Sequence, residues 1–279
     1  MKELSIIIVN YNVRDFLLSC LQSCFKATFS LDAEIIVVDN HSSDGSKEAV
    51  NHEFTQVIWI QNQENLGFSK ASNIGAKQAN GKYLLFLNPD TILPENIFEK
   101  VLPFAETVEK FGALGVRMTD ENGSFRMESK RNLPNLKNTF NKLFISLFNK
   151  KKRNGYYNQN LGEFDNGRTE ILTGAFFLVS KTVFEQAGGF DERYFMYAED
   201  IDLSLTILNL GYYNYYFGQL SIVHFKGKST HKSQSYYQRF FGSMELFVKK
   251  YYKNNFWKYT LLITGIKLRH WVAVIFDRN

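Results

Sequence analysis

"LSIIIVNYNVRDFLLSCLQSCFKA", residues 4 to 27, changes its hydrophobic period partway through. Residues 4 to 10 are apolar almost without a break, which is how a strand buried on both faces reads. From Val13 onward the apolar residues recur at helical spacing, with Cys20 and Cys24 on one face. A buried strand that feeds a helix through a polar elbow, here Asn10-Tyr11-Asn12, is half of a βαβ unit. The same pattern returns downstream: "EIIVVDN" (34 to 40) is a second strand with a helix start in "SSDGSKEAV", "VIWIQN" (57 to 62) is a third, and "KYLLFLN" (82 to 88) is a fourth that ends at Pro89. Between the last two, "NLGFSKASNIGAKQAN" (65 to 80) reads as a helix closed by Gly81. The expectation is an α/β fold with a central, mostly parallel sheet covered by helices on both faces, and such sheets bind ligands beyond the carboxyl ends of their strands.

Composition supports a globular chain. With 279 residues, 44% hydrophobic and 22% charged, it falls outside the disordered and fibrous classes. Two cysteines four apart suit small buried side chains better than a disulfide framework, so a reducing, cytoplasmic setting is expected. "MKELSIIIVN" reads as a buried strand rather than a signal peptide, and no 18-residue run is uninterruptedly apolar.

The net charge of +5 conceals an asymmetry, because residues 226 to 279 carry eleven Lys/Arg against two acids. That basic end is rich in aromatics, as in "FVKKYYKNNFWKY". Residues 231 to 279 are therefore expected to form a helical extension on a body of residues 1 to 230. It would suit either an anionic membrane surface at the inner face of the cell membrane or packing on the body. No nucleic-acid recognition module accompanies the charge, so nucleic acid is not expected as a partner.

Polar residues gather where the strands end: Asn10-Tyr11-Asn12, Asp39-Asn40 and Asn88-Pro89-Asp90. Neither a dinucleotide-binding glycine fingerprint nor a P-loop follows the first strand. A second polar group, Glu199, Asp200 and Asp202 in "FMYAEDIDLSLTI", stands where another helical pattern begins. First-turn acids are common at helix starts, so these residues alone allow either a structural or a chemical reading. The same openness applies to Asp39 as a turn residue, to Asn-Pro-Asp as a turn, and to His224 as a lone structural histidine.

The ordered segments "SIIIVNYN", "IIVVDNHSSDGS", "NLGFSKASNIG", "LFLNPDT" and "AEDIDLSL" resemble the inverting family 2 glycosyltransferases of the GT-A fold, a Rossmann-like architecture. The bacterial rhamnosyltransferase-like branch is the nearest in pattern. The resemblance spans roughly residues 3 to 230 and implies a nucleotide-diphosphate sugar as donor and a glycan or lipid-linked glycan as acceptor. It implies that Val9, Asn10 and Tyr11 hold the base, that Asp39 accepts from a pyrimidine N–H, and that Gly67 and Asn73 line the nucleotide. Asn88-Pro89-Asp90 stands where the family commonly has Asp-x-Asp. Asp90, with His224, would then hold a divalent metal, manganese or magnesium, against the diphosphate, while Asn88 meets the ribose or a water.

By the same resemblance Asp200 is the base that takes the acceptor proton and Glu199 orients the acceptor, while Asp202 is structural. Lys226 and Lys228 are further candidates for the diphosphate, and His231 is a second candidate for the metal. Phe195 and Tyr197 could stack on a sugar or pack in the core. Residues 120 to 168, Asn- and Lys-rich and without period, read as a lid. The donor expected first is thymidine diphosphate rhamnose, then a uridine diphosphate hexose. The competing reading is a catalytically inactive relative that binds glycan or nucleotide on the same fold, and release of nucleoside diphosphate separates the two.

Overall fold

The computed structural model describes residues 2–133, 157–225 and 234–276. Its first half is the alternation read from the sequence: β1 (Lys2–Asn10), α1 (Arg14–Ala27), β2 (Ala33–Asp39), α2 (Ser46–Glu53), β3 (Ile58–Gln61), α3 (Phe68–Gln78) and β4 (Gly81–Leu87). The second half runs β5 (Thr91–Ile92), α4 (Ile97–Thr107), β6 (Phe111–Thr119), a 3₁₀ turn at Met127–Ser129, β7 (Asn166–Thr169), β8 (Phe176–Ser180), α5 (Lys181–Gln186), α6 (Glu199–Asn209) and β9 (Tyr213–His224). Two long helices, α7 (Gln234–Tyr252) and α8 (Phe256–Phe276), close the described chain.

Among the described residues the strands form one nine-stranded sheet in the order β3-β2-β1-β4-β8-β6-β9-β5, with β7 pairing β9. β3, β2, β1 and β4 run parallel, as expected, and the three longest ladders, β6–β9, β1–β2 and β1–β4, are parallel. Antiparallel pairing enters with β8, which lies between β4 and β6. The continuous apolar runs follow from coverage on both faces. Ile6, Ile8, Ile35, Val37, Leu85 and Leu87 turn toward α1, α2 and α4, while Ile7, Ile36, Val38, Leu84 and Phe86 turn toward α3, α5 and α6. Each such side chain fully removed from water contributes roughly 1.5–3 kcal/mol, so neither face tolerates a polar alternation. Cys20 and Cys24 are free and buried under α1, as their spacing implied.

Two boundaries differ from the sequence reading. Gly81 does not close α3, which ends at Gln78. It opens β4, where a Cβ would come within 2.4 Å of the Ser5 amide nitrogen, so only glycine lets β4 start this close to β1. "LSIVHF" is not a short strand but the last part of the twelve-residue β9.

Helices α7 and α8 form a hairpin with a small core of its own, from Phe241, Val248, Leu262 and Ile266. Polar contacts tie it to the body: Lys250 Nζ donates to Asp202 Oδ2 at 2.8 Å and to Asp191 Oδ2 at 2.9 Å, and Tyr251 Oη donates to Asp202 Oδ1 at 2.8 Å. Ser243 Oγ donates to the Met196 carbonyl at 2.8 Å.

Candidate active site

The strand ends meet at one edge of the sheet. Asn10 lies opposite Asp39 in the β1–β2 register, and the Asn10 amide donates to Asp39 Oδ1 at 2.7 Å. The Ser42 hydroxyl donates to the same oxygen at 2.6 Å. Asp39 Oδ2 accepts from the Ser42 N–H at 2.8 Å and from Gln61 Nε2 at 2.7 Å. A carboxylate offers about four acceptor positions, and the protein itself occupies all of them. A base N–H therefore reaches Asp39 only by displacing one of these donors, of which Gln61 and Ser42 are half-buried and Asn10 is buried. Val9 is half-buried, while Tyr11 is 48% exposed just past the end of β1 and presents its ring at this edge.

Gly67 and Asn73, expected to line the nucleotide, are both engaged with the loop that precedes α6. Gly67 has φ of +80° at the head of α3, and a Cβ there would fall 2.3 Å from the Phe195 carbonyl oxygen. The next N–H, of Phe68, donates to that same oxygen at 2.7 Å. Asn73 exchanges hydrogen bonds with the Phe190 backbone at 2.8 and 3.0 Å, and its amide also donates to Glu192. The close approach at Gly67, the Phe68 N–H and the Asn73 amide hold the loop 190–198 against α3. The Phe195 ring packs over Gly67 and lies 3.9 Å from the Arg239 guanidinium, and Tyr197 packs edge-on against Tyr236 and Phe240.

Asp90 and His224 come together because Thr91 of β5 pairs with His224 of β9. His224 Nε2 lies 3.4 Å from Asp90 Oδ1, both side chains are buried, and His224 Nδ1 is buried without a hydrogen-bond partner. That separation is long for a hydrogen bond and suits two groups facing one cation. The donor set, one carboxylate and one imidazole, fits a divalent ion whose remaining ligands are diphosphate oxygens and water. No cluster of three or more His, Cys, Asp or Glu stands among the described residues, so those residues alone do not complete a metal cage there. The Asn88 side chain is half-buried beside this pair, and its backbone N–H donates to the Ala175 carbonyl at 3.1 Å. Lys226, Lys228 and His231 lie outside the described residues, as do residues 134–156 of the expected lid.

The second carboxylate group stands one short step away, since Gly174, next to Ala175, donates its N–H to Asp200 Oδ2 at 3.2 Å. Arg131 Nη2 donates to the same oxygen at 2.7 Å, and Asp200 Oδ1 accepts from the Ile201 N–H at 2.8 Å. Three donors on four positions leave one place on Oδ1 for an incoming hydroxyl. Glu199 is buried beside it, with Oε2 unpartnered. Desolvation, with the Asp200 charge adding to it, pushes its carboxyl up to about 8, which favours the neutral acid near pH 7. Both are aimed by a strained turn: Tyr197 and Ala198 have φ of +73° and +68°, conformations that side-chain-bearing residues rarely adopt. Asp202 faces away from Asp200 to meet Lys250 and Tyr251, in line with its structural reading.

Arg131 is the residue that sequence reasoning missed. It lies in the tract read as a lid, and no local pattern marks it. Its place is fixed by two backbone hydrogen bonds with Ile171, forty residues on in the chain, and its guanidinium also donates to the Leu172 carbonyl.

Comparison with known proteins identifies the family and the fold. The profile described as "Glycosyl transferase family 2" matches residues 5–188. The chain is similar to an N-acetylglucosaminyl-diphospho-decaprenol L-rhamnosyltransferase of Mycobacterium tuberculosis, 28% identical over 222 residues that cover 74% of this chain and 72% of the relative. It is 27% identical over 248 residues to rhamnosyltransferase WbbL of Escherichia coli, covering 85% of this chain and 87% of the relative. Among solved structures, the mannosyltransferase PcManGT from Pyrobaculum calidifontis in complex with GDP-Man and Mn2+ superposes with a TM-score of 0.63, at 15% identity, over 98% of this chain and 75% of its own. That likeness is one of fold, the GT-A fold implied by the sequence.

Proposed function

Because the chain belongs to glycosyl transferase family 2, we propose that this glycosyltransferase moves one sugar, with inversion at the anomeric carbon, from a nucleotide-diphosphate donor to a hydroxyl of a lipid-linked glycan. Thymidine diphosphate rhamnose is the donor favoured first, a choice supported by the two rhamnosyltransferase relatives and by the Asn88-Pro89-Asp90 variant of the family's acidic motif. The Mycobacterium tuberculosis relative, named for an N-acetylglucosaminyl-diphospho-lipid, supports an acceptor of that kind. Residues 1–230 would carry the reaction, and residues 231–279 would attach the enzyme peripherally at the inner face of the cell membrane.

The observation that carries the mechanism is the carboxylate of Asp200, held by three donors with one acceptor position open. The acceptor hydroxyl donates to that position on Oδ1. As its oxygen forms a bond to the anomeric carbon, Asp200 takes the proton, and the bond from that carbon to the diphosphate oxygen breaks on the opposite face. Glu199, in the neutral form that its burial favours, donates a hydrogen bond that orients the acceptor. The base of the nucleotide lies along Val9, Asn10 and Tyr11 and displaces Gln61 to reach Asp39. Asn88 meets the ribose or a water, and Gly67 and Asn73 act by holding the loop that carries Glu199 and Asp200. A divalent ion, manganese or magnesium, held by Asp90 and His224 would supply positive charge to the departing diphosphate.

Incubation with thymidine diphosphate rhamnose or uridine diphosphate glucose and a short-chain N-acetylglucosaminyl-diphospho-lipid tests this reading. The expected product carries the transferred sugar with its anomeric configuration inverted, read by NMR. A product with retained configuration would overturn the single-displacement role of Asp200. Absence of nucleoside diphosphate release with every donor would favour the binding-protein reading.

A further inference from the structure

The inner face of α8 is accounted for, because Leu262 and Ile266 pack on Phe241 and Val248 of α7. Its outer face is not. At 100° per residue, Trp257, Leu261, Leu268 and Trp271 fall on one stripe. All four are open to solvent: Trp257 is 81% exposed, Trp271 63%, and the two leucines 50% each. Two bulky indoles standing in water along one helical face call for a partner, since large exposed apolar side chains in a row mark interaction surfaces.

The charges beside the stripe identify the partner. Lys258 and Lys267 are exposed on its two sides, and no acid occurs between Glu245 and Asp277. An isologous contact with a second copy would set these cations against their own equivalents across the two-fold axis, with no acid to offset them. An anionic bilayer offers both complements at once, an acyl boundary for indole and leucine and phosphates for lysine. No helix among the described residues is long and apolar enough to cross a membrane, so the geometry is that of a helix lying in the interface plane.

We infer that the Trp257, Leu261, Leu268 and Trp271 stripe of α8 docks flat into the headgroup layer of an anionic lipid bilayer, with Lys258 and Lys267 on the lipid phosphates. This rests on the peripheral attachment proposed above and names the surface that makes it. The docking also sets the height of the active site. Lys250 and Ser243 of α7 are bonded to Asp191, Asp202 and Met196, which flank Glu199 and Asp200 in the chain, and Arg239 lies over Phe195. A hairpin seated on the bilayer therefore holds the catalytic loop at a fixed distance from the surface where a lipid-linked acceptor emerges.

The test is co-flotation of the full chain with phosphatidylcholine vesicles, with and without phosphatidylglycerol, while tryptophan emission is followed. The wild type is expected to float with the anionic vesicles and shift its emission to the blue. Trp257→Ser with Trp271→Ser should abolish both signals, with the melting temperature unchanged because both side chains are exposed. Lys258→Gln with Lys267→Gln should weaken binding by about fivefold per charge on anionic vesicles only, as a contribution near 1 kcal/mol per surface lysine requires. Wild-type protein that ignores anionic vesicles would overturn peripheral attachment and the stripe together. Wild type that binds while the tryptophan pair binds equally would overturn the stripe alone. A dimer that the tryptophan pair dissociates would assign the face to a second copy. Transfer to a water-soluble acceptor, measured on the same variants, keeps a failure of docking distinct from a failure of glycosyl transfer.

Discussion

Arg131 Nη2 stands 2.7 Å from Asp200 Oδ2, and both side chains are almost closed off from solvent. The ion pair fixes the carboxylate of the proposed base so that the open position on Oδ1 has a single direction, which positioned proton transfer requires.

Asp200→Asn is expected to keep nucleotide-sugar affinity, measured by calorimetry, and to lose turnover by about 10² or more, the scale of a positioned base. Arg131→Gln leaves a buried carboxylate without its cation. It should cost roughly 3 kcal/mol in urea denaturation. Turnover should fall as well, because the carboxylate loses the donor that orients it, and a kcat equal to that of the wild type would show that the pair is structural only.

Glu199 gives a second pH signature. Its carboxyl is raised from 4.5 to about 8 in the folded chain, by burial first and the Asp200 charge second. Between those values the folded state binds a proton that the unfolded state has released, so stability falls as pH rises through this window. Glu199→Gln removes the titration while keeping a hydrogen-bond donor. Melting temperatures at pH 5.5 and pH 8 should therefore differ less in the variant than in the wild type, by way of a gain at pH 8. Parallel slopes in the two proteins would mean that Glu199 is charged when folded.

These residues also show what the sequence could and could not disclose. The parallel half of the sheet was legible because Ile6, Ile7 and Ile8, or Ile35, Ile36 and Val37, are apolar at consecutive positions, which only burial on both faces explains. Glu199 and Asp200 were legible as a cluster, since their spacing is local. Arg131 was not, because its partner is 69 residues away and its setting depends on a bridge to Ile171. Asn73, read as a nucleotide-lining residue, is also engaged by Phe190, a contact across 117 positions that no periodicity encodes. Gly81 looked like a helix stop because glycine favours both helix ends and close backbone approaches, and only the neighbouring Ser5 decides between them.

Lys250 is expected to couple the C-terminal hairpin to the catalytic loop. Its ammonium meets Asp202 and Asp191, whose combined attraction outweighs burial and holds its pKa above the ordinary value. Lys250→Met should destabilise by roughly 1–3 kcal/mol, less than for a fully buried pair because the lysine is partly exposed. Combined with Asp202→Asn, the loss in urea denaturation should be smaller than the two single losses added, since both remove the same contact. Strict additivity would show that the hairpin is held by its apolar packing and not by this lysine.

Asp90 and His224 make the last prediction, for which the direct readout is the manganese EPR signal in the presence of thymidine diphosphate. The two side chains face each other at 3.4 Å in a buried place where His224 Nδ1 has no hydrogen-bond partner. If they share a cation, Asp90→Asn and His224→Ala should each weaken manganese binding by more than the roughly 10-fold that loss of even an outer-shell partner costs. Binding to the wild type should also fall as pH drops, because only the neutral imidazole can ligate. Manganese affinity equal in both variants and the wild type would remove the protein from the coordination sphere. Charge on the departing diphosphate would then have to be met by side chains donating directly, and the amide at Asn88, where the family commonly places a carboxylate, would mark a site that has given up its metal.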